Sequence, residues 1–167
     1  YQLSVWLMQE LIFNNLIKTL PKNMRLLNFS PAHALVLDHD EFQRAQIAYL
    51  PNWVERLEVQ SALGPAFSVL QEGRVLAIFG ACEILPGVAE MWLMKSESND
   101  KKHRLLRAAK SFVACSAAAM SLKRVQCSVE CVNFGAIRFA HWLHFEVEGR
   151  MRSHGHADHF LMARIFE

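Results

Sequence analysis

Glu90 is the acidic residue whose setting best suits acid–base chemistry. It lies in the strand-like run Val88–Met94, and the two-residue alternation of a strand places it on the same face as Val88 and Trp92. A carboxylate in such partly apolar surroundings is suited to accept a proton from a nucleophile. Glu83, in the preceding strand-like run, is a weaker candidate. The alternative interpretation is that Glu90 is a solvated or salt-bridged strand residue.

Three histidines lie close together near the end of the chain, at His154, His156 and His159. A His-x-His pair with a third histidine can bind zinc in principle. These residues fall in or beside a predicted hairpin turn, where histidines are commonly exposed. No cysteine or convincing set of carboxylates accompanies them in the sequence. We therefore predict exposed turn residues and no metal site.

A basic run occupies the predicted start of a long helix, at Lys101, Lys102, His103, Arg104 and Arg107. Cationic side chains and the free N–H groups of a helix N-terminus both attract phosphate. The run therefore indicates either a phosphate site or the solvated face of a helix.

The composition indicates one globular domain. The 167 residues are enough to bury one core, and 52% of them are hydrophobic, which argues against disorder. The formal net charge of +2 is too small to indicate nucleic-acid binding by itself. No run approaches the roughly 20 apolar residues that a membrane span requires. The four cysteines show no C-x-x-C spacing, so we expect reduced thiols and a cytoplasmic location.

The elements that must position these residues follow a mixed α/β order. The predicted strands are Met24–Phe29, Ala66–Leu70, Arg74–Ile84, Val88–Met94, Arg124–Val129, Phe145–Met151 and Phe160–Phe166. The predicted helices are residues 31–63 in two or three pieces, residues 102–122, and Asn133–Leu143. Turn residues between the three central strands predict an antiparallel meander. The strand–helix–strand step that follows favours a parallel crossover. The fold class is therefore α/β, with a mixed sheet and helices on its faces.

Residues 1–23 are predicted to form an N-terminal amphipathic helix or extension ahead of a single domain at 24–167. Apolar residues recur there at helical spacing, at Val5, Leu7, Met8, Leu11, Ile12, Phe13 and Leu16. We expect this helix to pack on the domain. Met24, at the start of the first predicted strand, is a candidate initiator.

Three stretches carry a resemblance to the GNAT (N-acyltransferase) superfamily. GVAEMWLM at 87–94 looks like the fourth strand of that family, and the helix at 102–122 stands in the place of its cofactor-facing helix. NFGAIRFAHWLHF at 133–145 is similar to the family segment Asn-x-x-Ala-Ile-x-Phe/Leu-Tyr-x-x-x-Gly-Phe. The likeness covers residues 24–166 and implies a GNAT-like acyl-CoA N-acyltransferase fold.

The resemblance also implies chemistry. The cofactor would be acetyl-CoA, the acceptor an amine, and Glu90 the general base. A backbone amide of the fourth strand, at Leu93 or Met94, would polarise the acyl carbonyl. The cofactor-binding residues that the resemblance implies are Trp92, Leu93, Met94, Asn99, Lys101, Lys102, His103, Arg104 and Asn133.

The sequence departs from the family pattern at three places. The segment Ser96–Arg104 has none of the glycines of the pyrophosphate loop, and its Glu97 and Asp100 add negative charge. Ala140 occupies the position at which many relatives have a tyrosine that protonates the leaving thiolate. His141 is a candidate proton donor, although one residue along a helix means a rotation of about 100°; the alternative is a structural or surface histidine. The third departure is His144, where the family has glycine.

A narrower likeness is to proteins of short-tailed phages that are known as internal virion protein A or as phage acetyltransferases. PGVAEMWLMKS at 86–96 is similar to their Pro-Gly-Val-x-Glu-x-Trp-x-x-x-Ser stretch. Two functions follow from the likeness. One is a slow or degenerate N-acetyltransferase in the host cytoplasm, and the other is a non-catalytic virion or assembly protein on the same fold. The sequence names neither the acceptor amine nor an oligomeric state.

Overall fold

The chain folds around one mixed β-sheet. A computed structural model describes the backbone of residues 2–97 and 102–167 and the side chains of residues 6–97 and 105–167. The strands are β1 (Met24–Asn28), β2 (Ala66–Gln71), β3 (Arg74–Leu85), β4 (Val88–Lys95), β5 (Arg124–Glu130), β6 (Glu146–His154) and β7 (Ala157–Ile165). The helices are α1 (Gln2–Leu16), α2 (Pro31–Leu35), α3 (Glu41–Tyr49), α4 (Trp53–Ala62), α5 (Lys102–Ala119) and α6 (Phe134–Trp142).

The strand order in the sheet is β1-β2-β3-β4-β5-β7-β6. The predicted meander is present as β2, β3 and β4, which pair antiparallel. The predicted crossover is present as well, since β4 and β5 pair in parallel with α5 between them. The two strands of the final hairpin extend further toward the turn than the sequence pattern predicted: β6 continues to His154, and β7 begins at Ala157. The predicted fold class is confirmed.

One face of the sheet is covered by α1, α5 and α6. Ile12 and Leu16 of α1 pack with Phe112 of α5 on the aromatic residues of β2 and β3. Val113 of α5 and Ala140 of α6 pack together on β4, β5 and β7. These two clusters place α5 across the sheet in front of the β4–β5 pair.

The opposite face is covered by α2 and α4, whose Ala34, Leu37 and Leu57 pack on Val75 and Ile78 of β3. Pro31 begins α2, as expected from its fixed φ. The helical region 31–63 forms three pieces, with the second break at Pro51. The middle piece, α3, stands beside the open end of β4.

α1 is an integral part of the core, but its apolar stripe is narrower than predicted. Met8 and Phe13 pack beside the fully buried Ile12 and Leu16. Leu7 and Leu11, which were expected to widen the stripe, are each 55% exposed. Each precedes a packed residue by one position, which is a rotation of about 100° toward solvent. None of the helices in the described residues combines the length and apolar character that crossing a bilayer requires.

His144 has a backbone conformation that is unusual for a residue other than glycine. Its φ is 66°, in the left-handed region that glycine adopts without steric penalty. The backbone after α6 therefore keeps the conformation that a glycine would favour, although a histidine occupies it.

Candidate active site

A wide cleft opens where β4 and β5 separate. Their pairing begins at Val88 with Arg124 and ends at Glu90 with Gln126. β4 nevertheless continues to Lys95 and β5 to Glu130. Beyond this fork lies a cleft of about 1260 Å³ whose walls come from both strands, α3, α5, α6 and the β6–β7 turn. A fork of this kind leaves backbone groups of both strands without strand partners.

The backbone of β4 turns one amide of the expected pair toward the cleft. The Gly87 carbonyl accepts from Arg124 on the β5 side, whereas the Ser96 amide donates to the Leu76 carbonyl on the β3 side. Because successive residues of a strand direct their backbone groups to opposite sides, Leu93 faces β5 and Met94 faces β3. Pairing with β5 has already ended at that point, so the Leu93 N–H is the donor available to a ligand. Of the two predicted donors, Met94 is turned away.

Glu90 lies at the fork itself. Its side chain is half-buried, lines the cleft and stands opposite Cys82 of β3. Among the side chains of residues 6–97 and 105–167, none forms a hydrogen bond or ion pair with the Glu90 carboxylate. The salt-bridged alternative therefore finds no partner in the described part of the chain. An unpaired carboxylate at a ligand-sized cleft is available for proton transfer.

The other two candidates for proton transfer lie outside the cleft wall. Glu83 accepts a hydrogen bond from the Gly87 N–H at 2.9 Å and so stabilises the turn between β3 and β4. His141 is exposed, and its Nδ1 is 3.0 Å from the Phe145 carbonyl oxygen, to which it donates. Neither belongs to the residues that line the cleft.

The side chains of Trp92 and Met94 pack in the core on the α2–α4 face as well as lining the cleft. The Trp92 ring lies directly over Gly80, where a Cβ atom would come within 2.5 Å of Trp92 Cζ2. The Trp92 Nε1 atom is buried without a hydrogen-bond partner among the described residues. By contrast, the Leu93 side chain is 38% exposed. The β4 wall is therefore a rigid packed edge with Leu93 as its accessible residue.

The predicted coenzyme end of the cleft is only partly described. Asn99 and Lys101 lie outside the described residues, and Lys102, His103 and Arg104 form the start of α5. Asn133 caps α6, because its Oδ1 accepts from the Ala136 N–H at 3.0 Å.

Ion pairs tie α3 to the end of β4. Glu97 forms an ion pair with Arg44 of α3 at 3.0 Å. The sequence predicts that Glu97 would repel an anionic coenzyme, and in the structure this charge is paired. Lys95 Nζ lies 3.5 Å from Asp40, and the Lys95 carbonyl accepts from the Gln43 side chain. These contacts connect α3 to the end of β4 at the wall of the cleft.

Ala140 and Cys127 line the cleft on the α5–α6 face. Ala140 is buried, and its methyl side chain offers no proton donor. Burial, and then the charge of Glu90, raise the pKa of the Cys127 thiol to about 12. Burial also raises the pKa of Cys82, again with Glu90 contributing. Both sulfurs are therefore protonated at neutral pH and are poor nucleophiles.

A histidine–carboxylate cluster lines the cleft beside the β6–β7 turn. His156 Nε2 is 3.0 Å from Glu130 Oε2, and His159 pairs with Glu130 in the β5–β7 register. His159 is buried, and burial lowers its pKa. Sequence reasoning expected exposed turn histidines with no carboxylate beside them. It missed Glu130, which is 26 residues from His156 and comes close only through the pairing of β5 with β7.

No protein-family model and no curated protein sequence matches the chain. Solved structures do match. A ribosomal L7/L12 alpha-N-protein acetyltransferase in complex with coenzyme A has a TM-score of 0.69 at 15% identity, covering 88% of this chain and 96% of that one. The chain has the fold of the GNAT acetyltransferases. The ribosomal-protein-S5-alanine acetyltransferase of Vibrio fischeri matches with a TM-score of 0.64 at 15% identity, and the match covers 87% of this chain and 94% of that one. A GNAT-family acetyltransferase of Bacillus anthracis matches with a TM-score of 0.64 at 14% identity, and the match covers 86% of this chain and 95% of that one.

Proposed function

We propose that the protein is an acetyl-CoA-dependent N-acetyltransferase that transfers an acetyl group to an amine. The observation that carries the proposal is the fork between β4 and β5, with the Glu90 carboxylate at its base and the Leu93 amide directed into it. Glu90 has no ion-pair partner among the side chains of residues 6–97 and 105–167. The GNAT fold supports the proposal, and one of the solved relatives with this fold holds coenzyme A.

In this proposal the pantetheine arm of the coenzyme runs along Trp92–Met94, and its pyrophosphate lies at residues 99–104. The N-terminus of α5 attracts the anion through its free N–H groups, and Lys101 and Lys102 add positive charge. The ion pair with Arg44 offsets the negative charge of Glu97 near the proposed pyrophosphate position. The amine then enters from the α3 face, on which Glu90 lies.

The chemistry follows from these positions. Glu90 takes a proton from the amine, directly or through a water molecule, and the amine nitrogen attacks the thioester carbonyl carbon. The Leu93 N–H donates a hydrogen bond to the oxyanion that forms. The C–S bond then breaks, and the coenzyme thiolate leaves and takes a proton from water. Because the raised pKa of the Cys127 thiol makes it a poor nucleophile, the proposed transfer runs directly from coenzyme to amine.

Acetylation of a panel of polyamines, peptides and amine antibiotics tests this function. Glu90→Gln should lower turnover by about 10²–10⁴-fold, most strongly at low pH, where the amine is mostly protonated and needs a base. Glu83→Gln is the matched control, because Gln at that position still accepts the Gly87 N–H outside the cleft. Equal loss in both variants, or no loss in Glu90→Gln, would refute the assignment of Glu90 as the base.

A second candidate is a non-catalytic assembly protein encoded by a phage and located in the host cytoplasm or the virion. Two features favour it: the lack of glycine in Ser96–Arg104, and Ala140 at the position of the proton donor. This candidate predicts no acetylation of any amine in the panel and no gain of turnover from Ala140→Tyr.

A further inference from the structure

A cluster that acyl transfer does not use is formed by Glu130 of β5, His156 of the β6–β7 turn and His159 of β7. One ligand atom each of Glu130, His156 and His159 lies within 4.8 Å of the other two. These residues line the cleft on the side of α3. Imidazole nitrogen and carboxylate oxygen are the ligands of open, three-residue zinc sites, such as those with two histidines and one glutamate.

The tautomer of His159 suits metal binding. Its Nδ1 is 3.0 Å from the Ala157 carbonyl oxygen, which can only accept, so Nδ1 carries the proton and Nε2 keeps its lone pair. A backbone carbonyl on the second ring nitrogen is the usual support of a metal-bound histidine. His159 is only 7% exposed and lies in β7, so its ring position is set by the sheet.

The turn that presents His156 is held at several points. Asp158 accepts from the Ser153 N–H at 2.7 Å and from Arg150 at 2.6 Å. Tyr49 of α3 packs against the turn, with its ring centroid 6.2 Å from that of His156. The ligand positions are therefore supported from both the hairpin and α3.

The distances are close to those of a bound ion. Zinc ligands at about 2.0–2.2 Å from the metal lie about 3.3–3.6 Å from one another in a tetrahedron. His156 Nε2 and Glu130 Oε2 are 3.0 Å apart, and the widest separation in the trio is within 4.8 Å. Rotation about the side-chain bonds is the adjustment that would bring the three ligand atoms to a common ion.

We propose that Glu130, His156 and His159 form a binding site for a divalent transition metal of the zinc class, with one coordination position open to the cleft. Binding requires the His156 Nε2 lone pair, so the proton that this atom shares with Glu130 moves to Nδ1 or is released to the buffer. The ring centroid of His154 lies 5.2 Å from that of His159, so a third histidine is close to the proposed site.

Titration calorimetry of the reduced, metal-free chain with zinc chloride tests the site. We expect one zinc ion per chain, and affinity at least about tenfold weaker in His156→Asn, Glu130→Gln and His159→Asn. His144→Asn is the matched control, because that histidine is exposed on another surface and asparagine tolerates its positive φ. If His159→Asn fails to fold, the two less buried positions decide the result.

Cobalt spectroscopy separates this site from the cysteines. Cobalt(II) bound by these residues should give visible d–d absorption without a thiolate-to-metal charge-transfer band. Cys131, which directly follows Glu130 in the chain, is the cysteine to exclude, and Cys131→Ser should leave the spectrum unchanged. A charge-transfer band that disappears in Cys131→Ser would overturn the proposal. It would equally be overturned by the absence of zinc binding at micromolar concentrations, or by wild-type affinity in the Glu130 and His156 variants.

Discussion

Glu90 and Ala140 lie on opposite faces of the β4–β5 fork, and they differ in what they can contribute to acyl transfer. Glu90 offers a carboxylate to deprotonate the amine, whereas Ala140 offers nothing to protonate the thiolate. A free thiol has a pKa near about 8.5, so water can protonate the leaving group at a modest rate. At this scale, the proposed chemistry has a base and an oxyanion donor but no positioned acid.

Ala140→Tyr should therefore raise turnover. Restoring a positioned acid can add up to about 10²–10⁴-fold in rate. Ala140→Phe is the matched control, because it fills the same volume without the hydroxyl. The comparison is made by steady-state kinetics on one acceptor, with melting temperatures recorded for both variants. The same rate in the Tyr and Phe variants would show that protonation of the thiolate does not limit turnover.

Cys127 should react slowly with alkylating agents in the folded protein. A thiol whose pKa is raised to about 12 has an about thousandfold smaller thiolate fraction near pH 8 than a free thiol. Peptide mass spectrometry after iodoacetamide treatment should find Cys127 protected at pH 8 and modified more rapidly as the pH rises. Protein unfolded in urea is the control, in which the same cysteine should react rapidly. Rapid modification of Cys127 in the folded protein at pH 8 would contradict the raised pKa and make an acyl-cysteine intermediate a candidate again.

At the scale of elements, the rigidity of the cleft wall depends on the packing of β3 against β4. The Trp92 ring lies directly on Gly80. It can do so because Gly80 has no Cβ atom, which would collide with the ring. The ring in turn meets Phe29 at a centroid distance of 5.5 Å. This contact fixes the β4 edge along which the coenzyme arm is proposed to run.

Gly80→Ala should destabilise the fold by about 1–3 kcal/mol, because the new methyl group would displace the ring or the strand. Gly149→Ala in β6 is the matched control, since a Cβ atom there meets nothing within 4 Å. We expect it to change stability by no more than about 0.5 kcal/mol. Urea unfolding of both variants provides the measurement, and equal free energies of unfolding would contradict the packing of Trp92 on Gly80.

Local patterns in the sequence were sufficient for most elements but not for the contacts between distant ones. Alternation and turn residues predicted β2, β3 and β4, and the crossover predicted the parallel β4–β5 pair. The partner of His156 could not be found in this way, because Glu130 reaches it through the register of β5 on β7. The same limit applies to Leu93 and Met94, since only the backbone register decides which amide faces the cleft.

The whole molecule brings two different surfaces to one fork. The α5 and α6 face carries Cys127 and Ala140, whereas the α3 face carries Glu90 and the histidine cluster. Because the sheet is open between β4 and β5, a ligand entering from one face can meet a ligand entering from the other. That arrangement is what transfer between a coenzyme and an acceptor requires.

Calorimetric titration with acetyl-CoA tests the central claim most directly. We predict one coenzyme per chain and a gain of about 2.7 kcal/mol in stability at a hundredfold excess over the dissociation constant. The double charge reversal Lys101→Glu with Lys102→Glu should weaken binding, chiefly at low salt. Lys18→Glu with Lys22→Glu changes the net charge equally on an exposed surface away from the cleft and should leave binding unchanged. No heat of binding and no rise in melting temperature at millimolar acetyl-CoA would contradict the proposed function.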